Sequence, residues 1–239
     1  MDMVLTDPPY NVDVENSVGM KIENDNLPEE EFSQFLFKSF ANISNSLKNG
    51  GTFYVWHGDS ERVSFQKNME MNGLHTRQCL VWVKNHFSLG RQDFKWQHEP
   101  CLYGWKDGGA HYFKPEFNHA TVIEDMLEPS KMKKEDLVKL VEELIKEGRP
   151  TTVVRADKPL RNDLHPTMKP VSLCCELIRL SSVVGETVLD LFGGSGSTLI
   201  ACEQLKRRCR MMEFDPIYCD VIIERWERFT EKKAVKLDE

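Results

Sequence analysis

The sequence predicts an α/β fold, a mostly parallel sheet with helices on both faces. Two observations lead to it. Short apolar runs, each long enough for one strand, alternate with amphipathic stretches of helical period. Glycine- or proline-bearing segments punctuate the alternation, and crossovers of this kind place helices on both faces of a parallel sheet. The 239 residues suffice for one large domain or one domain carrying an insertion.

"DMVLTD" reads as a buried strand, and the polar residues 11–26 as a loop. Pro28 and the acids Glu29, Glu30 and Glu31 suit the first turn and positive end of a helix. Phe32, Phe35, Leu36, Phe40, Ile43 and Leu47 continue that helix at the expected spacing until Gly50 and Gly51 stop it. "TFYVW" is a strand, "SERVSFQKNMEMNG" a second helix closed by Gly73, and "QCLVWVK" and "EPCLYGW" two further strands. Residues 107–131 show no clear period. Leu137, Leu140, Val141, Leu144 and Ile145 mark a charged helix ending at Gly148, and residues 149–166 are basic, polar and proline-bearing. Residues 115–161 therefore read as an inserted region, flanked by one domain built from 1–114 and 162–239. Regularity returns with the helix "PVSLCCELIRLSS", begun by Pro170, and the strand "ETVLDLF". After the turn "GGSGST" come the helix "TLIACEQLKR", the strand "CRMMEFD" and a last helix with Pro216 in its first turn.

Composition, 40% hydrophobic and 29% charged, is that of a globular protein. No apolar run is long enough to span a membrane, and the N-terminus lacks the basic start and long apolar stretch of a signal peptide. The seven cysteines include no C-x-x-C pair and no zinc spacing, so they are expected as free thiols in a reducing cytoplasm, with no metal. A net charge of -7 argues weakly against a nucleic-acid partner, but its distribution is uneven. Residues 76–114 hold six basic and three acidic side chains among eight Trp, Tyr and Phe residues. Such a segment can grip phosphates and stack on bases. It can equally be an aromatic hairpin packed on a core, the reading this segment alone favours.

Two motifs carry chemistry. "VLDLFGGSGSTLIA" runs strand, glycine turn, helix, where backbone N–H groups can meet a ligand beyond the carboxyl ends of the strands. It is neither G-x-G-x-x-G nor a P-loop. About twenty residues on, the next strand ends in Glu213, an acid placed to accept from ribose hydroxyls, which favours an adenosine-containing cofactor over an unliganded turn. The second motif, Asp7-Pro8-Pro9-Tyr10, also follows a strand. Its prolines fix the backbone and leave the Pro8 carbonyl free to accept. With the Asp7 carboxylate and the Tyr10 ring, it suits an exocyclic amino group on an aromatic base, whose N–H protons need acceptors before its nitrogen becomes nucleophilic. Such a base must first be flipped out of a helix. A proline turn that merely ends a strand is the alternative.

Together the motifs resemble the amino-methyltransferases of DNA, which move methyl from S-adenosylmethionine to adenine N6 or cytosine N4. Asp7 to Tyr10 match the catalytic tetrapeptide, Phe192, Gly194, Gly196 and Thr198 the F-x-G-x-G-x-T loop, and His165 to Pro170 the H-P-T-x-K-P element. "LKNGGTFYVW" and "WVKNHFSLGRQDFKWQHEPCLYGWK" resemble the family's middle motifs, and the likeness covers most of the chain outside 115–161. The motif order resembles the circularly permuted beta group, whose stretch before H-P-T-x-K-P reads the target sequence. The resemblance implies a Rossmann-like methyltransferase sheet, double-stranded DNA as partner, a restriction-modification setting and, from the leading Asp, adenine N6. It implies that Asp7 and the Pro8 carbonyl hold the amino group while Tyr10 stacks on the base. Thr167, Lys169, Asp190, Phe192, Gly194, Gly196, Thr198 and Glu213 are implied for the cofactor, with Thr167 and Lys169 at its methionine end. Relatives carry twenty or more residues before the tetrapeptide, so a sheet short of one N-terminal strand is expected, completed by a homodimer or partner chain. Rival functions are a cytosine N4 enzyme, a methyltransferase of RNA bases or protein glutamine, and a non-catalytic DNA-binding subunit with an incomplete cofactor pocket. The RNA and glutamine enzymes usually have the cofactor loop first and Asn in place of Asp7.

Overall fold

The structure, a computed structural model, describes residues 1–12, 25–84, 93–114, 153–155 and 168–237. Among the described residues seven strands form one sheet, β1 (Met3–Thr6), β2 (Thr52–Trp56), β3 (Thr76–Val83), β4 (His98–Trp105), β5 (Val153–Arg155), β6 (Thr187–Asp190) and β7 (Arg208–Met211). Their order is β5-β3-β4-β2-β1-β6-β7. All described pairings are parallel except those of β4, which runs opposite to both its neighbours. Five described helices cover the faces: α1 (Glu29–Ser46), α2 (Arg62–Met71), α3 (Val171–Ser181), α4 (Ser197–Gln204) and α5 (Pro216–Thr230).

The period of two along each strand sorts side chains onto two cores. Met3 and Leu5 of β1, Tyr54 and Trp56 of β2 and Val188 of β6 pack with Leu173, Leu177 and Ile178 of α3 and Ala201 of α4. Val4, Phe53, Val55 and Leu189 face the other way, onto Phe32, Leu36, Phe40 and Ile43 of α1 and Phe65 and Met69 of α2. Both faces of the central strands are thus buried, which is why "MVLT" and "TFYVW" are apolar throughout. The helix ends follow their sequence signals. Pro28 precedes the three acids that open α1, Pro170 precedes α3, and Asp215 caps α5 by accepting from the Ile217 N–H at 2.8 Å.

Val153–Arg155, within the stretch expected as an insertion, pair with β3 at one edge of the sheet. The rest of 115–161, with the helix expected from Leu137 to Ile145, lies outside the described residues. At the departure point the Lys114 N–H donates to the Leu180 carbonyl of α3 at 2.8 Å, tying the chain to the fold there. The aromatic segment divides: Trp82 and Tyr103 are core, as the hairpin reading requires, whereas Phe94 is 92% exposed and Trp96 40%. All seven cysteines are free, Cys101, Cys174 and Cys202 being buried. Among the described residues no helix is long and apolar enough to cross a membrane.

Candidate active site

Loops after β1, β2, β6 and β7 emerge at the carboxyl edge of the parallel strands. Because β4 is antiparallel, its beginning reaches the same edge, beside the end of β3. One cleft opens there, lined on one side by Asp7, Pro8, Pro9 and Tyr10 and on the other by Phe192, Gly194 and Thr198, with Lys169 and Asp190 also contributing.

The tetrapeptide is pinned from outside. The Tyr10 and Val12 N–H groups donate to Asp25 Oδ1 at 2.9 and 3.3 Å. Asn11, at φ 60°, brackets Leu27 by accepting from its N–H at 2.6 Å and donating to its carbonyl at 3.0 Å. Asp7 then meets two donors: its Oδ1 accepts from the Tyr10 hydroxyl and its Oδ2 from Lys169 Nζ, each at 2.5 Å. Lys169 Nζ also lies 2.9 Å from Glu99 Oε2 and 5.4 Å from the centre of the Trp56 ring. The other Glu99 oxygen pairs with Lys84, just after β3. The side chains of Lys84 and Lys169 are 6% and 7% exposed, so this row of alternating charges is largely desolvated.

Burial favours the neutral form of each group, and the partners oppose it. Burial raises Asp7 above the ordinary carboxylate value; Lys169 pulls it back and the Glu99 charge adds to the rise. Burial acts on Glu99 too, but Lys169 and Lys84 outweigh it and hold Glu99 at about 2. For Lys169, burial is outweighed by Asp7 and Glu99, and the ammonium stays charged well above the usual lysine range.

The opposite wall of the cleft grows from β6. Burial pushes Asp190 up to about 7 although Thr198, the Phe192 N–H and Thr6 donate to it. The Thr6 hydroxyl, ending β1, donates to Asp190 Oδ1 at 2.9 Å and so links the roots of the two loops. Gly194 and Gly196 have φ of 52° and 79°, which side-chain-bearing residues rarely adopt. A Cβ at Gly193 would stand 2.8 Å from Met211 Sδ. Glu213 holds the turn: its Oε2 accepts from the Gly194 N–H at 2.6 Å and its Oε1 from the Asp215 N–H at 3.0 Å. Arg225 of α5 braces the turn from behind, donating to the Ser195 carbonyl at 2.8 Å, and Ser197 Oγ donates to the Lys169 carbonyl at 2.7 Å. Phe192 packs against Phe35 with ring centres 5.8 Å apart.

Of the sequence-expected residues, Asp7, Pro8, Pro9, Tyr10, Lys169, Asp190, Phe192, Gly194 and Thr198 line the one cleft. Gly196 starts α4 beneath the turn, and Glu213 closes the turn through Gly194. Thr167 lies outside the described residues. Sequence reasoning passed over Lys84, Glu99, Asp25 and Arg225. The signal for Glu99 was an acid at the start of an otherwise apolar aromatic strand. An adenosine cofactor suits what is present: a turn without side chains in its way, an α4 start with no side-chain cap, an acid beside it and an exposed aromatic, Phe214, next to that acid.

His57, at the end of β2, was also missed. It is fully buried, and neither ring nitrogen has a hydrogen-bond partner among the described residues. Burial lowers it from 6.5 to about 4. The unfolded chain takes up this proton below pH 6.5 and the folded one only near 4, so stability is fully present above the first value and falls between the two. The shift corresponds to about 3 kcal/mol. His57→Leu should therefore flatten the fall in melting temperature between pH 7 and pH 5; equal slopes for both proteins would refute this.

A doubly wound sheet with a glycine turn after one central strand and a proline-fixed acid after its neighbour is the plan of the α/β class whose ligands bind beyond the carboxyl ends of the strands. Within that class the chain belongs to the N6/N4 DNA methylase family, whose model, described as DNA methylase, matches residues 1–224. The Type II methyltransferase M.BglII of Bacillus subtilis is 23% identical over 92% of this chain, which spans 62% of that protein. M2.DpnII of Streptococcus pneumoniae is 26% identical over 95% of this chain and 82% of its own length. The fold matches the M1.HpyAVI–SAM complex at a TM-score of 0.62, with 20% identity over 94% of this chain and 88% of that one. It matches the cytosine-N4-specific PvuII DNA methyltransferase at 0.66, with 16% identity over 97% and 83%.

Proposed function

We propose that this chain transfers methyl from S-adenosylmethionine to N6 of an adenine flipped out of double-stranded DNA. The observation that carries the reading is the Asp7 carboxylate, fixed by two prolines at the mouth of the cleft that the glycine turn also lines.

When bound, S-adenosylmethionine supplies an electrophilic methyl group. Gly194, Gly196 and the α4 start would take its polar end, Glu213 its ribose and Phe214 its adenine ring, while Phe192 packs against it. The chain's own part is to make a poor nucleophile adequate. The adenine N6 lone pair is delocalised into the ring. Accepting hydrogen bonds from its two N–H groups at the Pro8 carbonyl and at Asp7 draws the nitrogen towards tetrahedral geometry, with the lone pair directed at the methyl; on transfer the surplus N6 proton would pass to Asp7 and the cofactor would leave as the neutral thioether. To reach Asp7 Oδ1 the amino group takes the place of the Tyr10 hydroxyl, which frees the Tyr10 ring to stack on the base. Phe94 and Trp96, exposed in the basic segment, would meet the nucleic acid, and residues 115–161 would read the target sequence.

The test is methyl transfer from labelled cofactor to DNA, followed by digestion and mass spectrometry of the nucleosides. N6-methyladenine is expected. N4-methylcytosine would replace adenine by cytosine in the same mechanism. DNA binding with no cofactor binding in calorimetry would overturn the enzymatic reading.

A further inference from the structure

We propose that Glu99 is a positioning residue of methyl transfer. Anchored by Lys84 through one oxygen, it shares the Lys169 ammonium with Asp7 through the other, and so keeps Asp7 an open acceptor for the incoming amino group. The inference rests on Asp7 being that acceptor and goes beyond it, since Glu99 and Lys84 touch neither reactant.

A carboxylate facing a single buried ammonium forms a closed pair, and a closed pair is a poor acceptor for a neutral amino group. Asp7 and Lys169 would be such a pair at 2.5 Å. Here the ammonium is contested, because Glu99 Oε2 stands 2.9 Å from the same nitrogen. Glu99 cannot swing away, because Lys84 holds its second oxygen. Lys84 is itself fixed, its N–H donating to the Gln97 carbonyl at 2.8 Å and its carbonyl accepting from Gln97 Nε2 at 3.1 Å. The row holds two ammoniums and two carboxylates and is neutral as a whole, as a desolvated cluster must be. Reversal of β4 makes it possible: only an antiparallel strand presents its first residues at this edge.

Asp7 is also faced by Tyr10 on its own loop, Cys101 of β4, Cys174 of α3 and Asp190 of β6. Burial keeps both thiols neutral, Cys174 at about 12. Asp190 alone of these titrates near neutrality, and Asp190→Asn is the control for its contribution.

The experiment reads the titration of the Asp7 carboxyl by carbon-13 NMR, its signal assigned by its loss in Asp7→Asn, in parallel with kcat and the acid limb of the rate profile. Glu99→Gln removes a neighbouring anion and leaves Lys169 to Asp7 alone, so the Asp7 midpoint and the acid limb should move to lower pH. kcat should fall at least tenfold, with cofactor affinity in calorimetry unchanged. Lys84→Met turns Glu99 wholly onto Lys169, so the Asp7 midpoint should move to higher pH. Opposed shifts from the two variants are not expected of residues that merely support the fold, and either variant alone suffices if the other fails to fold. An unmoved Asp7 midpoint in a folded variant, or a loss of cofactor affinity matching the loss of rate, would overturn the inference. If the unaltered chain methylates no DNA while both shifts occur, the proposed function fails and the role of Glu99 in transfer fails with it, although Glu99 and Asp7 do share the ammonium.

Discussion

Asp7→Ala is expected to abolish methyl transfer, by about a thousandfold or more, while S-adenosylmethionine binds as before. The carboxylate bonds Tyr10 and Lys169, whereas Gly194 is held by Glu213 and the turn by Arg225, so its loss leaves the glycine turn intact. Only the acceptor for the amino group disappears. The fold should tolerate the change, because Lys169 retains Glu99 as counter-ion. Single-turnover methylation and calorimetry on the same preparation make the check. Retained turnover would remove Asp7 from the mechanism, and lost cofactor affinity would move it to the other bay.

Lys169→Met should cost more stability than any other single change at the cleft, about 3–5 kcal/mol, because it leaves Asp7 a buried carboxylate without its cation and Glu99 with Lys84 alone. Asp7 and Glu99 would then face each other with Lys84 as the nearest cation. The effect has a sign in pH. In the variant Asp7 titrates above its unfolded value of 3.8, so the folded form holds a proton that the unfolded form has released, and stability falls as pH rises through that range. In the unaltered chain Glu99 sits at about 2, and its contribution is present above 4.5 and lost only towards that lower value. The deficit should be largest near pH 7.5 and shrink near pH 5. Urea denaturation at the two values tests it, and an equal deficit at both would show that the row does not carry the charge assigned to it.

Much of the sheet was legible because its strands obey one rule. The central strands β1 and β2 are buried on both faces and almost wholly apolar, and proline or acid marks the start of each of the helices α1, α3 and α5. Asp7, Phe192 and Glu213 were legible because each ends a strand or follows one. What could not be read shares another property. Glu99 meets Lys169 across seventy residues of chain, and the row they build exists only because β4 is reversed, a matter of pairing that no local pattern records. β5 escaped for a different reason, since three residues in a basic, proline-bearing stretch are too few for any period. His57 sat in a polar-looking turn, and its complete burial follows from Phe65 of α2 packing at 5.8 Å.

The tie between Lys114 and Leu180 has an evolutionary meaning. It secures the chain where it leaves the catalytic scaffold, and Met168, the first residue described on its return, lines the cleft. On the proposed function, residues 115–161 choose the DNA sequence while the sheet performs the transfer. Substitutions and length changes in that stretch leave the spacing between Asp7 and the glycine turn untouched, since β1 and β6 are neighbours in the ladder. Recognition can then drift to a new sequence without passing through an inactive ancestor.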